Sequence, residues 1–394
     1  MNFRFSSRTG WDVGESGFAA AIREARASGR RLYDLTISNP TVCGFDFNAN
    51  SVLVELTHSE AMIYDPNPLG IRVAREAVAG YYGAHGALVD RDAVVLTTST
   101  SEGYGYLFRL LCDAGDEVLV AQPSYPLFDF LADLEDVKLR PYPLFYDYGW
   151  WIDFGELERR IEPRTKAIVV VHPNNPTGHG TKAAERLRLQ ELCARHGLAL
   201  IVDEVFLDYS LHREDSEELV SFAMGSHPVL TFVLSGMSKI AGLPQMKAAW
   251  IAALGPEAVQ REAMGRLEVI ADTFLSMNAP MQLALPAWLE GRKGIQDQIL
   301  ERVRTNLGCA EGSGLEVLRV EAGWCAILRL PSLRVEGDLA EGLLGEEGVV
   351  VHPGAFYGIA EAGRVVVSLI GPADDFSEGM ERIAAFVGRN QISN

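Results

Sequence analysis

Basic residues are in short supply: 35 Lys and Arg stand against 53 Asp and Glu, a formal charge of −18 at pH 7. A broad phosphate-binding face needs the opposite balance, so nucleic acid is excluded as a main partner, while a local pocket for a small anion is not. Cysteines are few as well. The five, at positions 43, 112, 193, 309 and 325, include no Cys-x-x-Cys pair, which gives neither a disulfide framework nor a zinc-knuckle spacing. No stretch reaches the ~18 apolar residues of a membrane span, and the opening Met-Asn-Phe-Arg-Phe-Ser-Ser-Arg lacks the apolar core of a signal peptide. A cytoplasmic protein with no membrane partner is expected.

What is present is an ordinary globular composition, 48% hydrophobic and 22% charged over 394 residues, enough for two or three domains. Short β-rich runs (Ala93–Thr97, Glu117–Ala121, Lys166–Val171, Leu198–Asp203, Leu230–Ser235, Ala248–Ala252) alternate with amphipathic stretches such as Ala184–His196. That alternation predicts an α/β fold with a mostly parallel sheet covered by helices, its ligands at the strand ends. Long helix, broken near Asn278-Ala-Pro280, is predicted from Pro256 to Leu300. Shorter strand-like pieces follow (Leu315–Val320, Trp324–Leu330, Gly348–His352, Arg364–Ile370), and with the Ser16–Ser28 helix they predict a second, smaller α+β unit. The expected division is an N-terminal segment 1–44 packing with the small unit, a large domain 45–285 and a small domain 286–394.

Three motifs carry chemistry. Lys239 stands in Ser-Gly-Met-Ser-Lys-Ile-Ala-Gly after the apolar strand Leu230–Leu234. A lone lysine is usually a surface charge; one at a strand end inside a crevice suits covalent attachment of an aldehyde cofactor. Asp203 closes the apolar run Leu198-Ala-Leu-Ile-Val-Asp. A carboxylate there is costly unless paired, and pairing with a protonated pyridine nitrogen would leave the ring able to accept electrons; strand capping is the plainer alternative. Glu204 should point to the opposite side. Asn175, in Pro173-Asn-Asn-Pro-Thr-Gly178, offers an amide to a phenolic oxygen, or merely builds a turn.

Further candidates have plainer alternatives too. Ser99, Thr100 and Ser101 precede a predicted helix through Leu111, where hydroxyls and free N–H groups suit a phosphate but also serve as ordinary N-caps. Tyr125, in Gln-Pro-Ser-Tyr-Pro, is placed either to stack on a ring or simply to pack. Arg364 opens the strand Arg-Val-Val-Val-Ser-Leu-Ile and would grip a carboxylate by two parallel hydrogen bonds, unless it is a surface arginine. The aromatics between Tyr142 and Trp151 either line an apolar pocket or form a packed loop and strand.

In this order the motifs resemble the class I/II aminotransferases of the aspartate aminotransferase superfamily, pyridoxal phosphate enzymes of fold type I. The resemblance extends to Tyr64-Asp-Pro-Asn-Pro-Leu-Gly-Ile-Arg-Val-Ala-Arg, with one extra residue before Gly70 and Ala74 where the family has Leu, and to His352-Pro-Gly-Ala-Phe-Tyr-Gly. It implies a large domain with a seven-stranded sheet and a smaller domain built from both termini. It implies pyridoxal 5'-phosphate as cofactor and transfer of an amino group from an L-amino acid to a 2-oxo acid in two half-reactions. A lyase, racemase or decarboxylase on the same site is the alternative.

By the same resemblance Lys239 would be Schiff-base lysine and proton shuttle, Asp203 the pyridinium partner, and Asn175 the ligand of the phenolic oxygen. Tyr125 would stack on the ring, the 99–101 loop and Ser238 would hold the phosphate, and Arg364, with Asn175 and Ser38, would bind the substrate. Tyr64 would reach the neighbouring subunit's phosphate in a homodimer with shared active sites. The chain departs from the family at Phe206, where Tyr is usual; at Lys247, where Arg is usual; and at Gly236, where many relatives have a phosphate-binding Ser.

Overall fold

The computed structural model describes residues 4–211, 218–275, 277–331 and 339–390; the last four residues of the expected small domain lie outside that set. A short strand β1 (Tyr33–Asp34) precedes eight strands of one sheet: β2 (Val94–Thr97), β3 (Glu117–Gln122), β4 (Lys138–Tyr146), β5 (Trp150–Ile152), β6 (Thr165–Val171), β7 (Ala199–Asp203), β8 (Thr231–Gly236) and β9 (Ala249–Leu254). After them come β10 (Glu316–Val317), β11 (Cys325–Arg329), β12 (Val349–Val350), β13 (His352–Pro353) and β14 (Arg364–Ser368).

The large sheet has the order β2-β9-β8-β7-β6-β3-β4-β5. Its central run from β4 to β8 is parallel, and β9 is antiparallel to both of its neighbours. β7, β8 and β9 are buried at every position. Such strands read as unbroken apolar runs because both faces are covered. Alternate residues feed two separate cores: Ile168, Val170, Leu200 and Val202 face one, and Val169, Val171, Ala199 and Ile201 the other. On the second face the helices Thr100–Leu111 and Glu257–Phe274 pack together; on the first, Arg72–Ala84 packs on Ala279–Gly291.

The expected mainly parallel sheet between helices is therefore present, with eight strands instead of seven. The additional one is β5, which folds back antiparallel on the last three residues of β4. The six strands expected from apolar runs do not include β4, which carries Pro141 and Pro143. Both face β3 on one side, while β5 pairs only with Leu144–Tyr146, so the prolines fall where the outer edge lacks a partner strand.

Beyond the large sheet, β10-β11-β14-β13 form an antiparallel sheet and β1 pairs in parallel with β12, Tyr33 opposite Val349. The helices Lys293–Gly312 and Ala373–Asn390 pack on each other beside it. The predicted N-terminal helix forms as Gly17–Ala27, capped by the Ser16 hydroxyl accepting from Ala19 N–H.

Candidate active site

The carboxyl ends of β2, β6, β7 and β8 fall on one edge of the large sheet, and the residues that follow them converge. Strand order reverses near β3 and β6, which opens a crevice at that edge. β7 delivers Asp203, the loop after β6 delivers Asn175, and the short helix Met237–Ile240 after β8 delivers Ser238 and Lys239. The Thr100–Leu111 helix begins after β2. Thr100, Ser101, Asn175, Asp203, Ser238 and Lys239 all line one cavity of about 520 Å³. Ser38, Tyr125 and Phe206 also line it.

Asp203 is buried, and burial pushes its carboxyl up to about 6, against the opposing pull of Val205 N–H, the Tyr104 hydroxyl and Lys239. Val205 N–H donates to Oδ1 at 3.1 Å and Tyr104 to Oδ2 at 3.2 Å. Burial likewise lowers the Lys239 amine, only partly offset by Cys325 and Asp203. Its Nζ lies 4.9 Å from the ring centroid of Trp324 and 5.5 Å from that of Phe206. The Oδ1 of Asn175 is buried without a partner, and amide ends are interchangeable, so this side chain has one unmet hydrogen-bonding end facing the cavity.

The 99–101 segment divides its work. Ser99 is the N-cap, its hydroxyl accepting from Glu102 N–H at 3.1 Å, and it does not reach the cavity lining. Thr100 and Ser101 do, in the first turn, where backbone N–H groups have no intrahelical acceptor and attract an anion.

Three further expected residues lie outside the cavity lining. Arg364 is not in the cavity; it borders a separate cleft with Gln122, Phe145 and Glu361, and its guanidinium donates to Ala362 O at 3.3 Å. The reason is register: β14 runs antiparallel to β11 with Ser368 opposite Cys325, a cavity residue, and Arg364 opposite Arg329. Four residues of strand put Arg364 about 13 Å from the cavity end. Lys247 is exposed, in left-handed backbone with φ 48°, and does not line the cavity. Tyr64 is 77% exposed and borders another cleft, beside Met277 and Pro280. The aromatics 142–151 lie in β4, β5 and, for Tyr148, the turn between them, with Tyr142 donating to Val169 O at 2.9 Å, and none lines the cavity.

Glu204 does point away, to Ser221 Oγ at 2.7 Å and Phe222 N–H, and burial pushes it up to about 7. Gly236 has a steric cause. A Cβ there would meet Ala249 Cβ at 2.8 Å and Ala248 O at 3.0 Å, so the close approach of β9 leaves no room for a serine.

Several cavity residues have no site role in the sequence reading: Tyr104, Trp324 and Cys325, and also His352 and Tyr357, which it quotes only within a motif of the resemblance. Tyr104 was within reach, being four residues after Thr100 on one helix face. The others come from the start of β11, with Trp324 just before it, and from the 352–357 segment, whose position depends on tertiary packing.

The comparisons with known proteins fit this geometry. A model of the aminotransferase class I and II family matches residues 55–383. The chain belongs to the class I and II aminotransferase family. An alanine aminotransferase of Mycobacterium tuberculosis is 30% identical over 279 residues, covering 70% of this chain and 64% of that protein. The chain thus spans just under two thirds of that relative. The glutamate-pyruvate aminotransferase AlaA of Escherichia coli is 29% identical over 284 residues, 71% of this chain and 69% of that one. Among solved structures, an alanine aminotransferase from Pyrococcus furiosus superposes with TM-score 0.88 at 21% identity over 98% of this chain and 100% of that one. An Escherichia coli aminotransferase gives 0.86 at 22% over 100% of both. At such identities these two structures establish the shared fold alone. Among the described residues no helix of this aminotransferase-family chain is long and apolar enough to cross a membrane.

Proposed function

We propose that this chain is a pyridoxal-phosphate-dependent aminotransferase that moves an amino group from an amino acid to a 2-oxo acid by a ping-pong mechanism. The observation that carries the reading is the meeting of Lys239, Asp203 and Asn175 in one cavity beside a helix N-terminus. Each has an unmet need that the cofactor would fill. Asp203 is a buried carboxylate held well above its ordinary range, Asn175 Oδ1 lacks a partner, and the Lys239 amine is lowered toward its nucleophilic form.

Bound there, the cofactor supplies an electron sink for the substrate's Cα. Asp203 would hold the ring nitrogen protonated and Asn175 the phenolic oxygen, while Thr100, Ser101 and Ser238 would take the phosphate. Tyr125 and Phe128 would wall the ring. The Lys239 amine, with its low proton affinity, would anchor the aldehyde and then carry the Cα proton.

The reading includes a homodimer with shared sites, to which the exposed Tyr64 would contribute, a cytoplasmic location, and the division 1–44, 45–285 and 286–394. It is supported by the family match and by the separate antiparallel sheet formed after residue 315. Single-turnover mixing with a panel of amino acids, followed by mass spectrometry of cofactor and product, tests it. Pyridoxamine phosphate with a matching 2-oxo acid is expected. Product with the cofactor still in its aldehyde form would make the chain a lyase, racemase or decarboxylase.

A further inference from the structure

The proposed reaction asks Lys239 to hold a proton in a buried place. Its amine takes the Cα proton and becomes an ammonium, a charge that burial disfavours. Among the described residues the lysines that form ion pairs are Lys166 and Lys182, and Lys239 is not one of them. Of the two groups that favour its charge, the Cys325 thiol is pushed up to about 12 by burial and stays neutral, and Asp203 is committed to the ring nitrogen in that reading. The other titratable side chains lining the cavity are Tyr104, Tyr125, His352 and Tyr357, none of which carries a negative charge near neutral pH.

What faces the amine instead is aromatic. Nζ lies over the Trp324 ring at 4.9 Å from its centroid and over the Phe206 ring at 5.5 Å, both inside the ~6 Å reach of a cation–π attraction, which is strongest for indole. The indole plane is fixed by two edge-to-face contacts, with Phe206 at 5.3 Å and 74° and with Tyr209 at 4.9 Å and 72°. Tyr209 also donates its hydroxyl to Lys239 O at 2.6 Å. One residue thus fixes both the main chain of the lysine and the ring that its amine meets. Trp324 is 2% exposed, so the contact is internal to a single chain.

We propose that Trp324 is a positioning residue for Lys239, its indole face seating the ammonium that forms when the lysine carries the proton, with Tyr209 bracing both. The ring suits this task because indole offers no lone pair to take the proton. A carboxylate at the same place would hold the ammonium firmly and slow its return of the proton, whereas a ring face favours the charged form by about tenfold and leaves the proton free to move on. The inference rests on the aminotransferase reading for the proton transfer; the contact itself does not depend on it.

The test separates the contact from the chemistry. Competitive acetylation of the full, cofactor-free chain as a function of pH, read on the Lys239 peptide by mass spectrometry, gives the midpoint at which the amine gains its proton. A difluorinated tryptophan introduced at position 324 alone keeps the shape of the side chain and withdraws electron density from its face, and the midpoint should fall by about half a pH unit. An unmoved or raised midpoint in the fluorinated chain overturns the inference.

Trp324→Leu removes the face and should lower the midpoint by about one pH unit, and Trp324→Phe, which restores a face, should recover at least half of that. A role confined to packing predicts the reverse for Trp324→Leu, since the smaller side chain admits water and eases burial, so a raised midpoint there counts against the ring. Amino transfer is measured on the unmodified chain alongside. A midpoint that falls as expected in a chain without any transfer would defeat the aminotransferase reading and leave the Lys239–Trp324 contact standing; transfer with an unmoved midpoint would do the opposite.

Discussion

Tyr104 donates its hydroxyl to Asp203 Oδ2 across 3.2 Å, tying the second turn of the Thr100–Leu111 helix to the end of β7. With Val205 N–H on the other oxygen, the carboxylate is oriented before any ligand arrives. That orientation is bought against burial, which raises the Asp203 carboxyl to about 6.

A pH-dependent cost follows for the cofactor-free chain. An ordinary aspartate titrates near 3.8, so between about pH 4 and 6 the folded state holds a proton that the unfolded state has released, and stability falls as pH rises through this window. Asp203→Asn should therefore stabilise the cofactor-free chain by up to about 3 kcal/mol at pH 7 and by almost nothing below pH 4, while abolishing amino transfer. Urea unfolding at both pH values checks it; equal gains at the two would remove the ionisation argument.

Removing only the hydroxyl, in Tyr104→Phe, should cost about 1 kcal/mol of stability and raise the Asp203 carboxyl further. Carbon-13 NMR titration of the labelled carboxyl would detect the rise, and an unmoved midpoint would show that the bond carries little.

For Lys239→Ala the expectation is loss of the protein-linked visible band on mixing with pyridoxal phosphate, and a fall in amino transfer of about 10³-fold or more. Borohydride reduction of the unmodified chain, followed by peptide mass spectrometry, should place the label on Lys239. A label on Lys247 or Lys182 would contradict the assignment.

Gly236 is glycine for space, its φ of −179° being open to any residue. Gly236→Ala should destabilise the chain by about 1–3 kcal/mol through crowding against β9, and Gly236→Ser should bring no gain in cofactor affinity. A thermal melt and a cofactor titration decide both points.

Lys182, Glu321 and the Gly180 carbonyl form a buried group, Lys182 Nζ bonding Glu321 Oε2 and Gly180 O. Glu321→Ala leaves that ammonium without its counter-charge and should cost about 3–5 kcal/mol; denaturant unfolding would expose a smaller effect.

How much was legible follows from what each residue depends on. Asp203 ends one apolar strand, and Lys239 and Asn175 follow others within a few residues, so their placement near strand ends follows from local pattern. Arg364 begins a strand, where pattern alone fits a surface arginine, and only the family resemblance drew it toward the site. The pairing of β14 with β11 decides otherwise, and register between distant strands is invisible in a single sequence. β4 does not read as an unbroken apolar run, carrying Lys138, Arg140, Pro141 and Pro143, and Trp324 enters the cavity from a segment whose placement depends on the fold as a whole.

Gly178 O accepts from both Glu321 N–H at 3.2 Å and Ala322 N–H at 3.1 Å, and a Cβ on Gly178 would meet Val320 Cγ1 at 2.7 Å. The turn that bears Asn175 and the stretch leading to Trp324 are therefore locked as key and keyhole, far apart in the chain. Position 178 is held to glycine by more than Val320, since its φ is 68° and a Cβ would also meet the Ala322 carbonyl at 2.8 Å. A smaller residue at 320 therefore does not release it, and a swap of either segment from another lineage should fail unless its counterpart travels with it.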